Sequence, residues 1–374
     1  MRRSCLFLSE AVFCVVTAFA QPRMEWIREV TMAKGEEIVA VQTLNAGSYL
    51  LITDRTEAAR TSPRPYTVCI ADSAFQIVRR HTYSLAGRPL DPLLMPDGRV
   101  ALATTLYEVL MLSPTGDSLW TSPKLEEHFT GPCRAVLTLD ASVVIGGSGK
   151  QKGLRLVKLS SGGKQLWQRE FGMKTESQPL LGLASAPDGG VFAYGSFGPG
   201  TGECVIMHVS AAGDSLSSIS PPPSTSCDGL DVFWSLPESG FLIGSEGNAG
   251  AGLTRIVRIG ADGTKLWEQV YPPSSGHQQN FWATAVIGGR CILAGDTGIT
   301  DTTGRGLRLS AINMAGQPLW KTAVSVPHLS IPFDILPAPD GGIVVAATSY
   351  NPDAQDVWTT LFIKFSAESG IHTK

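Results

Sequence analysis

The stretch Arg258–Tyr271, RIGADGTKLWEQVY, constrains this chain more than any other because it recurs along the sequence. It reads as two strands joined by a tight turn at Asp262-Gly263, the second strand carrying one Trp. Drifted copies stand at Leu112–Trp120 (LSPTGDSLW), Leu159–Trp167 (LSSGGKQLW), Val209–Ser217 (VSAAGDSLS) and Ile312–Trp320 (INMAGQPLW). With Trp267 as a ruler, equivalent positions fall at Trp26, Val78, Trp120, Trp167, Ser217, Trp320 and Thr373, at intervals of about fifty residues.

A second marker keeps a nearly constant phase within each interval. It reads Asn45-Ala46-Gly47, Pro96-Asp97-Gly98, Asp140-Ala141, Pro187-Asp188-Gly189-Gly190, Pro237-Glu238-Ser239-Gly240, Gly288-Gly289 and Pro339-Asp340-Gly341-Gly342. Such residues tolerate the positive φ of two-residue hairpin turns, and a short apolar strand such as VALAT, VFAYG or IVVAA follows each marker. Each interval therefore holds four strands, here A to D, joined by an A–B hairpin, a B–C loop and a C–D hairpin. No interval contains a capped amphipathic helical pattern. Seven such units predict an all-β fold, a seven-bladed β-propeller of four-stranded antiparallel blades. The last unit lacks an outer strand, and Met24–Thr31 is an outer-strand sequence with no blade before it. The N-terminal strand is thus expected to complete the last blade, close the ring and remove an open edge.

Composition narrows the function classes. The 374 residues carry a net charge of −3, so no basic surface argues for nucleic acid. Residues 1–20 read as a signal peptide: Arg2 and Arg3, an apolar run, then Ala18-Phe19-Ala20. Residues 21–374 then form a single propeller domain with no integral membrane segment after cleavage, expected to be a secreted or extracytoplasmic monomer. Of the seven cysteines, five lie beyond residue 20, with no CxxC or vicinal pair to suggest zinc or a redox motif. Cys204, opening a C strand, and Cys227, in the following D–A loop, are candidates for a disulfide.

The ADGTKLW of Ala261–Trp267 resembles the pyrroloquinoline-quinone type repeat, A-x-D-x-x-T-G-K-x-x-W. APDGGVFAYG (Ala186–Gly195) and APDGGIVVAA (Ala338–Ala347) are similar to repeats of exported bacterial propellers, the quinoprotein-like or delta-sixty type superfamily. The resemblance implies the fold. It does not bring a cofactor: the quinoprotein dehydrogenases carry a catalytic Asp and often a disulfide of adjacent cysteines, and neither maps onto this chain. The sialidase Asp-box places its Gly three residues before the Trp, whereas here Gly116, Gly163, Gly263 and Gly316 stand four before.

HExxH, GxSxG, P-loop and EF-hand patterns are absent. Asp296 and Asp301 have the hard oxygen ligands that calcium prefers, but a polar B–C loop is the preferred reading. The repeated Trp residues are read as packing between blades, not as sugar platforms. No catalytic residue, cofactor or metal is assigned. Any ligand is expected on the face shared by the B–C and D–A loops, which do not repeat. The candidate binding residues are His128, Phe129, His277, Asn280, Phe281 and Trp282, the last two as an exposed or partly exposed aromatic pair. Asp91 and Asp334, each six residues before its hairpin Asp, are placed at the channel mouth. The function this implies is non-catalytic binding of a protein or glycan. A hydrolase or lyase with a loop-face pocket and a structural module of an envelope assembly remain alternatives.

Overall fold

The computed structural model describes residues 21–367 except 33–35, 45–46, 56–62, 107, 123–132, 149–152, 172–179, 196–203, 222–231, 237–239, 247–252, 271–280, 297–305, 327–328 and 352–356. Among the described residues there are strands and turns and no helix. Blade 1 is β2 (Glu36–Thr43), β3 (Tyr49–Arg55), β4 (Arg64–Ala71) and β5 (Ile77–Leu85); blade 2 is β6 (Leu93–Leu94), β7 (Val100–Ala103), β8 (Val109–Leu112) and β9 (Ser118–Thr121). Blade 3 is β10 (Arg134–Leu137), β11 (Val143–Ser148), β12 (Leu154–Leu159) and β13 (Gln165–Phe171). Blade 4 is β14 (Leu180–Ser185), β15 (Val191–Gly195), β16 (Val205–Val209) and β17 (Ser215–Ile219). Blade 5 is β18 (Val232–Leu236), β19 (Gly240–Glu246), β20 (Leu253–Ile259) and β21 (Lys265–Val270); blade 6 is β22 (Phe281–Ile287), β23 (Arg290–Asp296), β24 (Gly306–Asn313) and β25 (Pro318–Ser325). Blade 7 is β26 (Leu329–Pro337), β27 (Ile343–Asn351) and β28 (Val357–Phe365), with β1 (Met24–Val30) as its fourth strand. This is the seven-bladed propeller, and β1 pairs antiparallel with β28 as the closure model requires.

The middle strands are buried on both faces, so they read as unbroken apolar runs such as VALA in β7. Outer strands such as β13 are mostly exposed. The core is divided among seven apolar clusters, each between two neighbouring blades. A blade therefore has no core of its own and needs its neighbours.

The recurring Trp contributes to these seams. The Trp167 indole donates from Nε1 to Ala211 O at 2.8 Å, and Trp267 does the same to Met314 O at 2.8 Å, each reaching the C–D turn of the next blade. At the closing seam the equivalent turn in blade 1 carries Phe75 at positive φ, stacked between Tyr49 (4.1 Å) and Phe362 (3.9 Å), with Trp26 edge-on at 5.8 Å. This turn corrects one sequence assignment. Arg79, not Val78, stands opposite Ile70 as Trp167 stands opposite Lys158, because Phe75 holds the left-handed place that Gly has elsewhere.

The A–B markers are hairpins, but mostly wider than two residues. In blade 7 the loop is closed by Ala338 N to Gly342 O at 2.9 Å and Gly341 N to Ala338 O at 3.0 Å. Only Gly288-Gly289, with φ of 58° and 71°, is a two-residue turn among the described A–B hairpins.

Candidate functional site

The A strands of neighbouring blades pack on one another and line the central channel. Each pairs with its B strand through a regular register, and several carry a one-residue bulge, as between Pro332 and Asp334 in β26. In blade 2, Pro89 bridges Thr104 and Leu93 pairs with Ala101, which likewise leaves one residue too many on the inner side. The position just past the bulge is therefore equivalent around the ring. It is held in order by Ala40, Asp91, Arg134, Gly182, Val232, Ala283 and Asp334. Three charged residues thus fall on one arc of the ring, with Ala40 between the two carboxylates, while none of the others has a polar side chain.

Asp91 is exposed to solvent and Asp334 half-buried, although protein atoms crowd around both carboxyls. Enclosure among protein atoms is the larger cause that pushes the Asp334 carboxyl up to about 7, and the charge of Asp91 adds to it. Asp91 is raised as well, again by enclosure, with Arg134 pulling the other way. The Arg134 guanidinium is fixed to the wall: Nε donates to Leu181 O at 3.0 Å and Nη1 to Cys133 O at 3.0 Å. Gly182 holds no side chain because Phe233 of the next blade takes the space; a Cβ there would stand 2.3 Å from the Phe233 Cβ.

Two of the residues singled out from sequence, Asp91 and Asp334, are thus brought within electrostatic reach of each other. The bulge register sets each of them on its inner strand, three residues before the strand's end at the A–B hairpin. Arg134 stands at the same six-residue offset before Asp140, a spacing that could have identified it. Phe281 is not part of an exposed aromatic pair: it is buried at 3% exposure, with the Arg308 guanidinium 4.2 Å above its ring. Trp282 is half-buried at the bulge of β22, and its Nε1 donates to Asp296 Oδ2 at 2.7 Å. His128, Phe129, His277, Asn280, Cys227 and Asp301 lie outside the described residues.

Among the described residues no group of three or more His, Cys, Asp or Glu could hold a metal ion, and no helix is long and apolar enough to cross a membrane. A cavity of about 510 Å³ is lined by inner-strand and hairpin residues of blades 3, 4 and 5, among them Val136, Leu139, Leu183, Pro187, Phe233 and Trp234.

No protein-family model and no curated protein matches the chain. Among solved structures it is similar to virginiamycin B lyase from Staphylococcus aureus, with TM-score 0.56 and 10% identity over 91% of this chain and 99% of that one. It is also similar to the C-terminal WD40 domain of Sif2, with TM-score 0.53 and 10% identity over 89% and 83%. BamB from Moraxella catarrhalis matches with TM-score 0.49 and 15% identity over 91% and 99%. The shared feature is the propeller. Likeness at such identity shows the fold alone, since one fold hosts many functions.

Proposed function

We propose that this is a non-catalytic, exported propeller that binds a protein or glycan through the face formed by its B–C and D–A loops. The observation that carries this reading is Trp282. It stands at the start of an inner strand, beside the D–A loop, with a half-buried indole oriented by its bond to Asp296. A fixed, partly exposed indole supplies stacking surface at low entropic cost, which suits both sugar rings and protein hot spots. Export draws on the leader-like first twenty residues and on Cys204, which is disulfide-bonded, unlike Cys69 and Cys291. Structural disulfides persist in oxidising compartments. Cys227 is the partner this reading assigns to Cys204. Glycan-array and pulldown screening tests the binding face: Trp282→Ala should weaken captured ligands by about tenfold or more. Ligands held equally by the variant remove this face from the reading.

A further inference from the structure

We propose that the end of the channel bounded by the A–B hairpins is a second binding site, for a small organic cation with an apolar body, whose charge is met by Asp91 and Asp334. This end is opposite the loop face, so the site stands or falls independently of the ligand read for that face. Three observations converge on it.

The first is room. The 510 Å³ cavity falls within the range of about 300–1,000 Å³ typical of small-molecule sites, and its wall is apolar and partly aromatic. Leu139, on the hairpin rim, is 69% exposed, and Trp234 is half-buried. The second is charge placement. Asp91, Arg134 and Asp334 lie three residues deeper than the ends of the inner strands, about 10 Å along a strand. They occupy the arc of blades 7, 1, 2 and 3, whereas the cavity wall belongs to blades 3, 4 and 5. None of the three lines the cavity: the charges stand on one side of the ring and the apolar wall on another. The third is the state of the carboxylates. Among the described residues, Asp91 forms no hydrogen bond or ion pair, and Asp334 accepts only from the adjacent Ile335 N at 2.8 Å. Arg134 offsets one of the two negative charges from a distance, and its position is tied to Leu181 and Cys133. With both carboxyls ionised, as at pH 8, one negative charge is left over, complementary to the ammonium of a ligand whose hydrophobic body reaches across to the apolar wall. A neutral ligand leaves the carboxylates unmatched, and an anion is repelled by them.

The purified protein, titrated by calorimetry at pH 8 with 2-phenylethyl-, 3-phenylpropyl- and 4-phenylbutylammonium, tests this directly. At least one should bind, with 4-phenylbutanol about tenfold weaker or worse and 4-phenylbutyrate not detectable. Asp91→Asn and Asp334→Asn should each weaken the ammonium by about tenfold while leaving the alcohol unchanged. Each variant removes one of two like charges, so both should fold, and thermal melting checks this. Absence of binding by all three ammonium ions, equal binding of ammonium and alcohol, or ammonium binding unaffected by both variants overturns the proposal.

Discussion

Lys158 Nζ lies 2.9 Å from Asp140 Oδ2, with the lysine side chain 2% exposed and the aspartate 52% exposed. A strand-C side chain reaching the A–B hairpin of its own blade recurs in blade 4, where His208 Nε2 is 3.1 Å from Asp188 Oδ2, and in blade 7, where Lys364 donates to Asp340. In blade 5 the equivalent Arg258 bonds the carbonyls of Phe241 and Ile259 at 3.1 and 2.9 Å. In blades 3, 4 and 7 the hairpin Asp residues serve these clasps, which makes them structural.

The two ends of the Lys158–Asp140 clasp differ in burial, and so should their variants. Asp140→Asn leaves a buried ammonium without its counter-charge and should cost about 1–2 kcal/mol in urea unfolding. Lys158→Met leaves a carboxylate that still reaches water and accepts from the Thr138 hydroxyl at 2.6 Å, and should cost less. Burial alone would raise the Asp140 carboxyl, but Thr138 and Lys158 override it and hold it at about 2. The folded value lies below the ordinary one of about 3.9. Its contribution is therefore complete above pH ~4 and is lost as pH falls through about 2, so the penalty of Asp140→Asn should shrink over that window. Equal penalties for both variants would contradict the assignment.

Gly213 sits over the Trp167 indole of the preceding blade at φ +90°, and a Cβ there would stand 3.0 Å from the Trp167 ring. Gly213→Ala meets both a backbone conformation unsuited to L side chains and a ring held by its bond to Ala211. It should destabilise by about 1–3 kcal/mol, measured by thermal or urea unfolding, whereas Ala212→Ser at the neighbouring exposed position should change little.

Ring closure rests on β1. Beyond its pairing with β28, Glu25 bonds the buried Lys364 at 2.7 Å, Ser366 N donates to Arg23 O at 2.9 Å, and Val30 and Met32 join the apolar cluster between blades 7 and 1. Deleting residues 21–32 opens that seam and bares the edge of β28. The melting temperature should fall by about 10 °C or more and the transition should broaden, as followed by circular dichroism. An unchanged cooperative melt would refute strand-based closure.

Periodicity alone determined the architecture. The spacing of Trp120, Trp167, Trp267 and Trp320 from their turn glycines is local, so it survives in a single sequence and specifies hairpin, blade and ring. The orphan outer strand Met24–Thr31 revealed the closure for the same reason. Tertiary structure decided which side chains meet. Asp91 and Asp334 are 243 positions apart in sequence, and only the closed ring sets them on either side of Ala40. Burial of Phe281 beneath Arg308 depends on the packing of strand β24, and the apolar cavity on the juxtaposition of three blades; neither leaves a periodic trace. Bulges add the last decision, because one extra residue on an inner strand sets which side chain reaches the channel, a choice that alternation of apolar and polar residues does not encode.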